Sequence, residues 1–388
     1  MAETLNWSNW SGNVTTNPTG IVRPAAVADI VDALASTEGE VRAVGAAHSH
    51  SAVAASSGLV VDLSDWVGVL DVGSTDATVR SGTRIHQLGA ALRSAGVSLL
   101  NQGDIDRQSV AGACSTGTHG TGIDNQNLSA GVLGVTLITA NGEVIEANSS
   151  KNAEVLNAAQ LSLGGLGIMS KMTIRVRPAY RLHERIWLET VDTVLSQIDV
   201  LTAETRHFEF FWYPGQERAI CKSLDETTAE VSELSHLQHE RVGWSDRIIS
   251  SDRTDLHTEM EYSVPAELGP ACFDAIRDLV GTSFPELVWP LEYRTVAADD
   301  VWMSAANGRP TVTISVHQAR ELDDELLFRA CESVFVEYEG RPHWGKVHYL
   351  DANVLRTLHN DWDAWWAVRD RLDPDGRFLT SYLASLRT

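Results

Sequence analysis

A chain of 388 residues, 43% hydrophobic and 21% charged, carries enough apolar material for a substantial core, so pervasive disorder is excluded and two domains are expected. Thirty basic residues against fifty-two acidic ones leave a net charge of −22, which repels phosphate backbones and anionic lipid and makes nucleic acid and membranes poor partners. The opening MAETLNWSNWSGN has no basic stretch ahead of an apolar one, and no window reaches about eighteen uninterrupted apolar residues, so a soluble, cytoplasmic protein is expected.

In chain order, residues 28 to 36 have helical spacing, and Val41 to Gly45 and Leu59 to Leu63 are short apolar runs of the kind buried strands use. VLDVGSTDATVRSG alternates around a Gly-Ser-Thr-Asp turn and predicts a hairpin. Thr83 is placed to cap a helix with Ile85, Leu88 and Leu92 on one face and Gly96 near its end. Residues 101 to 128, rich in Gly, Ser, Thr and Asn, predict a long ligand-binding loop; GVLGVTLITANGEVIEA then gives two strands around an Asn-Gly turn. A strand over 164 to 180 closes this part, with a boundary near 178. Strand-like pieces follow near 206 to 213, 257 to 263, 291 to 296 and 311 to 318, and the tail is helical up to Pro374.

Several features take the plain reading. Asn6, Asn9 and Asn13 sit in glycosylation-type triplets that have no meaning without a secretory signal. Cys114, Cys221, Cys272 and Cys331 are too scattered for a zinc or redox motif and read as reduced, structural thiols. There is no HExxH, and His343 and His348 have no carboxylate at ligand spacing, so no metal site is expected. Trp365 and Trp366 read as packing, and the acidic run 223 to 234 as solvated surface.

Two stretches carry chemistry. SVAGACSTGTHGTG, residues 109 to 122, leaves backbone amides uncovered and suits a diphosphate, although it has neither the P-loop ending nor the Rossmann spacing. VRAVGAAHSHSA sets imidazoles behind a run of small residues, where a flat ring can approach the backbone and a neutral histidine can bond to an electrophilic cofactor.

VRAVGAAHSHS, GLVVDLSDWVGVL, GDIDRQSVAGACSTGTHGTG and SLGGLGIMSKMTIRV together resemble the successive flavin-binding segments of vanillyl-alcohol-oxidase-type flavoproteins. Within that group the chain is most similar to sugar-1,4-lactone oxidases and alditol oxidases, from NWSGN to DPDGRFLTSYL. The resemblance implies an α+β, two-domain FAD-binding (VAO/PCMH-type) fold with an α+β cap over the flavin. Its parts are an FAD domain at 1–178, a cap at 179–350 and a C-terminal helical segment at 351–388 that returns to the FAD domain. It implies FAD linked covalently through His48. Val44, Gly45, Ala46, Ala47, Ser49, His50, Ser109, Gly112, Ser115, Thr118, Gly120, Thr121 and Ile168 are the further cofactor contacts.

In the cap, Glu292 and Arg294 share one strand face, and Thr311, Thr313, Ser315 and His317 share another. Both segments, and Lys346 in RPHWGK, resemble the family's strands over the flavin. They imply Glu292, Arg294, His317 and Lys346 as catalytic residues, with Ser315 and His317 at the substrate. Ser315 and His317 stand where alditol oxidases carry histidine and threonine, which brings ISVHQ nearer the lactone oxidases; Thr380 replaces a more common asparagine. The expected reaction is hydride transfer from a CH–OH group of a small carbohydrate-like lactone or polyol to flavin N5, with reoxidation by oxygen to hydrogen peroxide. The alternatives are a dehydrogenase with another acceptor and a non-catalytic flavin- or sugar-binding protein.

Overall fold

The computed structural model describes residues 5–232, 240–251 and 254–387. Two short strands, β1 (Trp7–Ser8) and β2 (Thr15–Thr16), pair around a tight turn. Next comes a small parallel sheet of β3 (Gly20–Val22), β4 (Val41–Val44) and β5 (Leu59–Asp62), in the order β3-β5-β4. Helix α1 (Val27–Ala35) turns Ile30 and Leu34 onto Val41 and Val61 of that sheet.

A second, antiparallel sheet contains β6 (Val69–Val72), β7 (Asp76–Arg80), β8 (Val97–Leu99), β9 (Val132–Ile138), β10 (Val144–Asn148) and β11 (Ile168–Pro178). Its order is β10-β9-β11-β7-β6, with β8 on the far end of β11. The β6–β7 hairpin and the Asn141-Gly142 turn lie where the sequence puts them, Gly142 taking φ 82°. Helix α2 (Ile85–Ser94) buries Ile85, Leu88 and Leu92, but Thr83 is not its cap. The Thr83 hydroxyl bonds to Arg80 O and Gly68 N, and the first turn is closed by Gln87 Oε1 accepting from Arg84 N at 2.9 Å.

The predicted loop 101–128 contains a short helix, α3 (Val110–Thr116). Ser109 Oγ accepts from Gly112 N at its start, and Gly117, at φ 79°, closes it. These two residues form a helix from a composition that propensity alone gives to coil. Helix α4 (Ala153–Gln160) covers β9 and β10.

From Arg181 onward a third sheet begins. Its strands are β12 (Arg181–Thr190), β13 (His207–Trp212), β14 (Arg218–Thr227), β15 (Glu240–Trp244), β16 (His257–Pro265), β17 (Leu291–Val296), β18 (Thr311–Ala319) and β19 (Arg341–Pro342). Among the described residues they join in the order β15-β12-β14-β13-β17-β18-β16-β19, antiparallel throughout. One face is apolar: Phe210, Met260, Tyr262, Tyr293, Ile314 and Val316 pack on the helices Gly269–Ser283 and Glu325–Glu337 through Phe273, Ile276, Phe328 and Phe335. Each such side chain contributes about 1.5–3 kcal/mol. The opposite face is polar and faces the first two sheets, so the central strands are buried on both sides.

The acidic run 223 to 234 is only partly surface. Ser223 and Leu224 are buried on β14, Glu226 pairs with Arg177 at 2.6 Å, and Glu233 and Leu234 lie outside the described residues. All four cysteines are free and buried. The helix Trp362–Leu372 drives Trp365 and Trp366 into the core of the second sheet. Beyond it, Arg377 O accepts from Val41 N at 2.7 Å and Phe378 is enclosed with Ile30 and Val41, so the tail laces onto the first sheet. No described helix is long and apolar enough to cross a membrane.

Candidate active site

The β4 strand delivers its chain into the segment 45–50, which is shaped by close contacts. A Cβ at Gly45 would stand 2.1 Å from Ser109 Oγ, so only glycine fits. Ala47 takes φ 52° and turns the chain so that His48 stacks on Trp10, ring centroids 4.5 Å apart and planes 17° apart. Asn9 and Asn13, from the NWSGN turn, donate to Ser49 O and His50 O at 2.8 and 2.9 Å. The glycosylation-type asparagines at 9 and 13 are thus clamps on the histidine loop. Burial, with help from Lys346 and His257, lowers the His48 imidazole to about 4, so it is neutral at physiological pH.

This segment lines a cavity of about 800 Å³ between the two smaller sheets. Of the predicted cofactor contacts, Val44, Gly45, Ala46, Ala47, His48, Ser49, Ser109, Gly112 and Ser115 line it, together with Arg42, Ser162 and Gly164. The others lie elsewhere. Thr118 borders the neighbouring cavity, and His50 sits behind the loop against Glu259, 3.6 Å away. Gly120 packs against Gln102 O, and the Thr121 hydroxyl bonds to Phe208 O at 2.5 Å at the seam with the third sheet. Ile168 is core at the start of β11.

A second cavity of about 520 Å³ lies under the polar face of the third sheet and shares Gln108 with the first. Strand register builds it. On β16, β17 and β18, Glu259 is opposite His317, Glu261 opposite Ser315, and Ser315 in turn opposite Glu292, while Arg294 stands opposite Glu209. The predicted Glu292, Arg294, His317 and Lys346 all line this cavity, with Asp104, His119, His257, Glu259, Glu261 and His343. Ser315 does not line it; its hydroxyl donates to Glu261 at 2.8 Å.

Two carboxylates organise the charges. Glu259 accepts from Lys346 Nζ and lies 3.7 Å from both His257 Nε2 and His317 Nε2. Glu261 accepts from Arg294 Nη2 and from His119 Nε2, the latter at 2.9 Å. Burial by itself raises the Glu259 carboxyl, but Lys346, His317 and His257 outweigh it and hold the group well below the usual carboxylate range. Glu261 is held down in the same way, burial being overcome by His119 and Arg294. Burial pulls Arg294 down, yet Glu292, Glu261 and Glu209 keep it above its ordinary value, so it is a permanent cation. His343, lowered by burial to about 3, is neutral.

His317 Nδ1 lies 2.8 Å from Pro290 O, and a carbonyl only accepts, so Nδ1 carries the proton. In the neutral ring Nε2 is then the basic nitrogen, on the Glu259 side. The pocket thus holds an imidazole nitrogen able to take a proton, a carboxylate able to steady the imidazolium, and two cations, Arg294 and Lys346. Sequence reasoning missed Glu259, Glu261, His257, His119, His343 and Asp104. The signal for the first three was HTEMEYSV, whose alternation matches that of TVTISVHQ.

The profile of the D-arabinono-1,4-lactone oxidase family matches residues 172–251 and 230–386, and that of an FAD binding domain matches 18–148. L-gulono-1,4-lactone dehydrogenase of Mycobacterium tuberculosis is 35% identical over 97% of each chain. Alditol oxidase of a Streptomyces species is 27% identical over 98% of each. In structure, cholesterol oxidase from B. sterolicum superposes with a TM-score of 0.85 over 100% of this chain and 97% of that one, at 15% identity, which shows a common fold.

The first cavity fits FAD. A Cβ is excluded at Gly45 and lies only 2.9 Å from Ser109 Oγ at Gly112, while Ser109, Ser115 and Ser162 supply hydroxyls and Arg42 a buried positive charge. Built on the VAO/PCMH-type fold, with a cavity that fits FAD beside an ionised pocket under the third sheet, the chain belongs to the D-arabinono-1,4-lactone oxidase family of FAD-dependent oxidoreductases.

Proposed function

We propose that the protein oxidises a CH–OH group of a small, polyhydroxylated, uncharged substrate, a sugar-1,4-lactone or a sugar alcohol, and passes the electrons to dioxygen to give hydrogen peroxide. The observation that carries this reading is a second cavity, lined by His317, Glu292, Arg294 and Lys346, that meets the first at Gln108. The units 1–178, 179–350 and 351–388 act as FAD domain, substrate cap and returning segment. When bound, FAD supplies a two-electron acceptor for the substrate hydride at its N5.

The protein's own groups do the rest. Carboxylate oxygens of Glu292 and the Arg294 guanidinium hold substrate hydroxyls. His317 Nε2 takes the hydroxyl proton as the hydride leaves, and Glu259 stabilises the resulting imidazolium. Lys346 and Arg294 place positive charge where negative charge gathers. The carbinol loses one hydride and one proton and becomes a carbonyl; two electrons and two protons convert dioxygen to peroxide.

His48 is the covalent anchor, because its neutral ring nitrogen is a nucleophile held in one orientation by Trp10. Acid-precipitated wild-type protein is expected to keep its yellow colour and His48→Ala to release it; colour retained by the mutant contradicts the anchor.

A second reading, an acceptor other than oxygen, is favoured by the name of the 35% identical relative, a dehydrogenase. Anaerobic mixing with 1,4-lactones and alditols tests both. Bleaching of the flavin by at least one of them is expected, followed in air by one peroxide per substrate oxidised. Bleaching without peroxide selects the second reading, and a flavin that no member of the panel bleaches removes the assignment.

A further inference from the structure

Arg42 is a buried cation that forms no ion pair among the described residues. It stands on β4, 3% exposed, and no other formally charged Asp, Glu, Lys or Arg side chain lines the first cavity among the described residues. Its Nη2 donates to the carbonyl oxygens of Val53 and Leu163, whereas Nε and Nη1 have no hydrogen-bond partner among the described residues. Glu40, the carboxylate that most favours its charge, is engaged instead with the Ser56 hydroxyl at 2.5 Å and Ser57 N at 3.2 Å. Burial lowers the guanidinium to about 10.

The surrounding backbone is shaped to admit this group. Leu163 and Gly164 both take left-handed conformations, φ 49° and 67°, which turn the Leu163 carbonyl onto Nη2. A Cβ at Gly164 would lie 2.7 Å from Arg42 Cζ, so any larger residue displaces the guanidinium. If the side chain served only to tie two carbonyls together, a neutral donor would do so without burying a charge. A cation held here with two nitrogens uncommitted calls for an anion in the chamber.

We propose that Arg42 is the counterion of the FAD diphosphate, its Nε and Nη1 donating to phosphate oxygens. The glycine-rich segments place uncharged backbone amides on the diphosphate, and Arg42 adds the one full charge that opposes it. Riboflavin, which lacks phosphate, gains nothing from this residue.

The test uses His48→Ala apoprotein, in which flavin exchange is reversible, titrated by flavin fluorescence. Arg42→Met in that background is expected to weaken FAD about 30-fold or more while leaving riboflavin within about twofold, and Arg42→Lys to restore part of the loss. Equal weakening of both flavins, or none of FAD, overturns the proposal. A second measurement needs no Arg42 variant: inorganic pyrophosphate is expected to displace FAD competitively and to leave riboflavin binding unchanged, and a lack of competition overturns the proposal too. If wild-type flavin proves exchangeable, the same titrations run without the His48 change, so failure of the covalent anchor and failure of this proposal are told apart.

Discussion

Glu259 shows how one residue sets the chemistry of several others. It accepts from Lys346 and lies within 3.7 Å of His50, His257 and His317, so one buried carboxylate is shared by a cation and three imidazoles. The protonated Nδ1 of His317, committed to Pro290 O, leaves Nε2 for the role of base in the proposed reaction. His317→Ala is therefore expected to slow flavin reduction about 100-fold or more in stopped flow, with substrate binding changed far less. A loss below tenfold would give the base to another group. His317 was legible in the sequence because it ends an alternating strand beside Ser315. Glu259 and Glu261 were not singled out, since a strand with acidic alternation reads equally well as a solvated face. Their partners in the fold are Arg294 and Lys346, brought across from 33 and 87 residues away.

At the scale of elements, period-two patterns were readable wherever the two faces of a strand meet different surroundings. On β18, Val312, Ile314 and Val316 meet the helices, while Thr313, Ser315 and His317 meet the polar face. Ile314 is fully buried, so Ile314→Ala is expected to cost about 2–5 kcal/mol in chemical denaturation, because the helices Gly269–Ser283 and Glu325–Glu337 cannot close a cavity behind the sheet. A cost under about 1 kcal/mol would mean that this face is loosely packed. Helix α3 escaped prediction because Ala, Gly, Ser and Thr carry little periodic signal; only its ends, Ser109 and Gly117, betray it. Of the expected cofactor contacts in that stretch, Thr118 lines the neighbouring cavity, and the Thr121 hydroxyl bonds to Phe208 O at the third sheet.

Across the molecule, buried imidazoles set the response to acid. Burial is the largest cause lowering His207, His343 and His359 to about 3 and His348 to about 4, against 6.5 in the unfolded chain. Between those values the unfolded chain takes up protons that the folded one refuses. Stability is thus complete above pH 6.5 and falls as pH drops toward 3, by up to about 1.4 kcal/mol per pH unit for each such ring. Glu259 and Glu261, held well below their usual range, add a loss of the same sign further into acid. Melting temperature is expected to fall by roughly 5 °C or more between pH 6.5 and 5.5, and an unchanged value across that interval would contradict the neutral state of these rings.

Strand β4, which launches the His48 segment and carries Arg42, is bonded at Val41 to Arg377 and shielded by Phe378. A ribosome therefore makes the first half of the flavin chamber early and its last support more than 300 residues later. That chamber stays unsupported until the segment around Phe378 has been made, and loss of that segment is expected to yield apoprotein even with every residue lining the cavity intact.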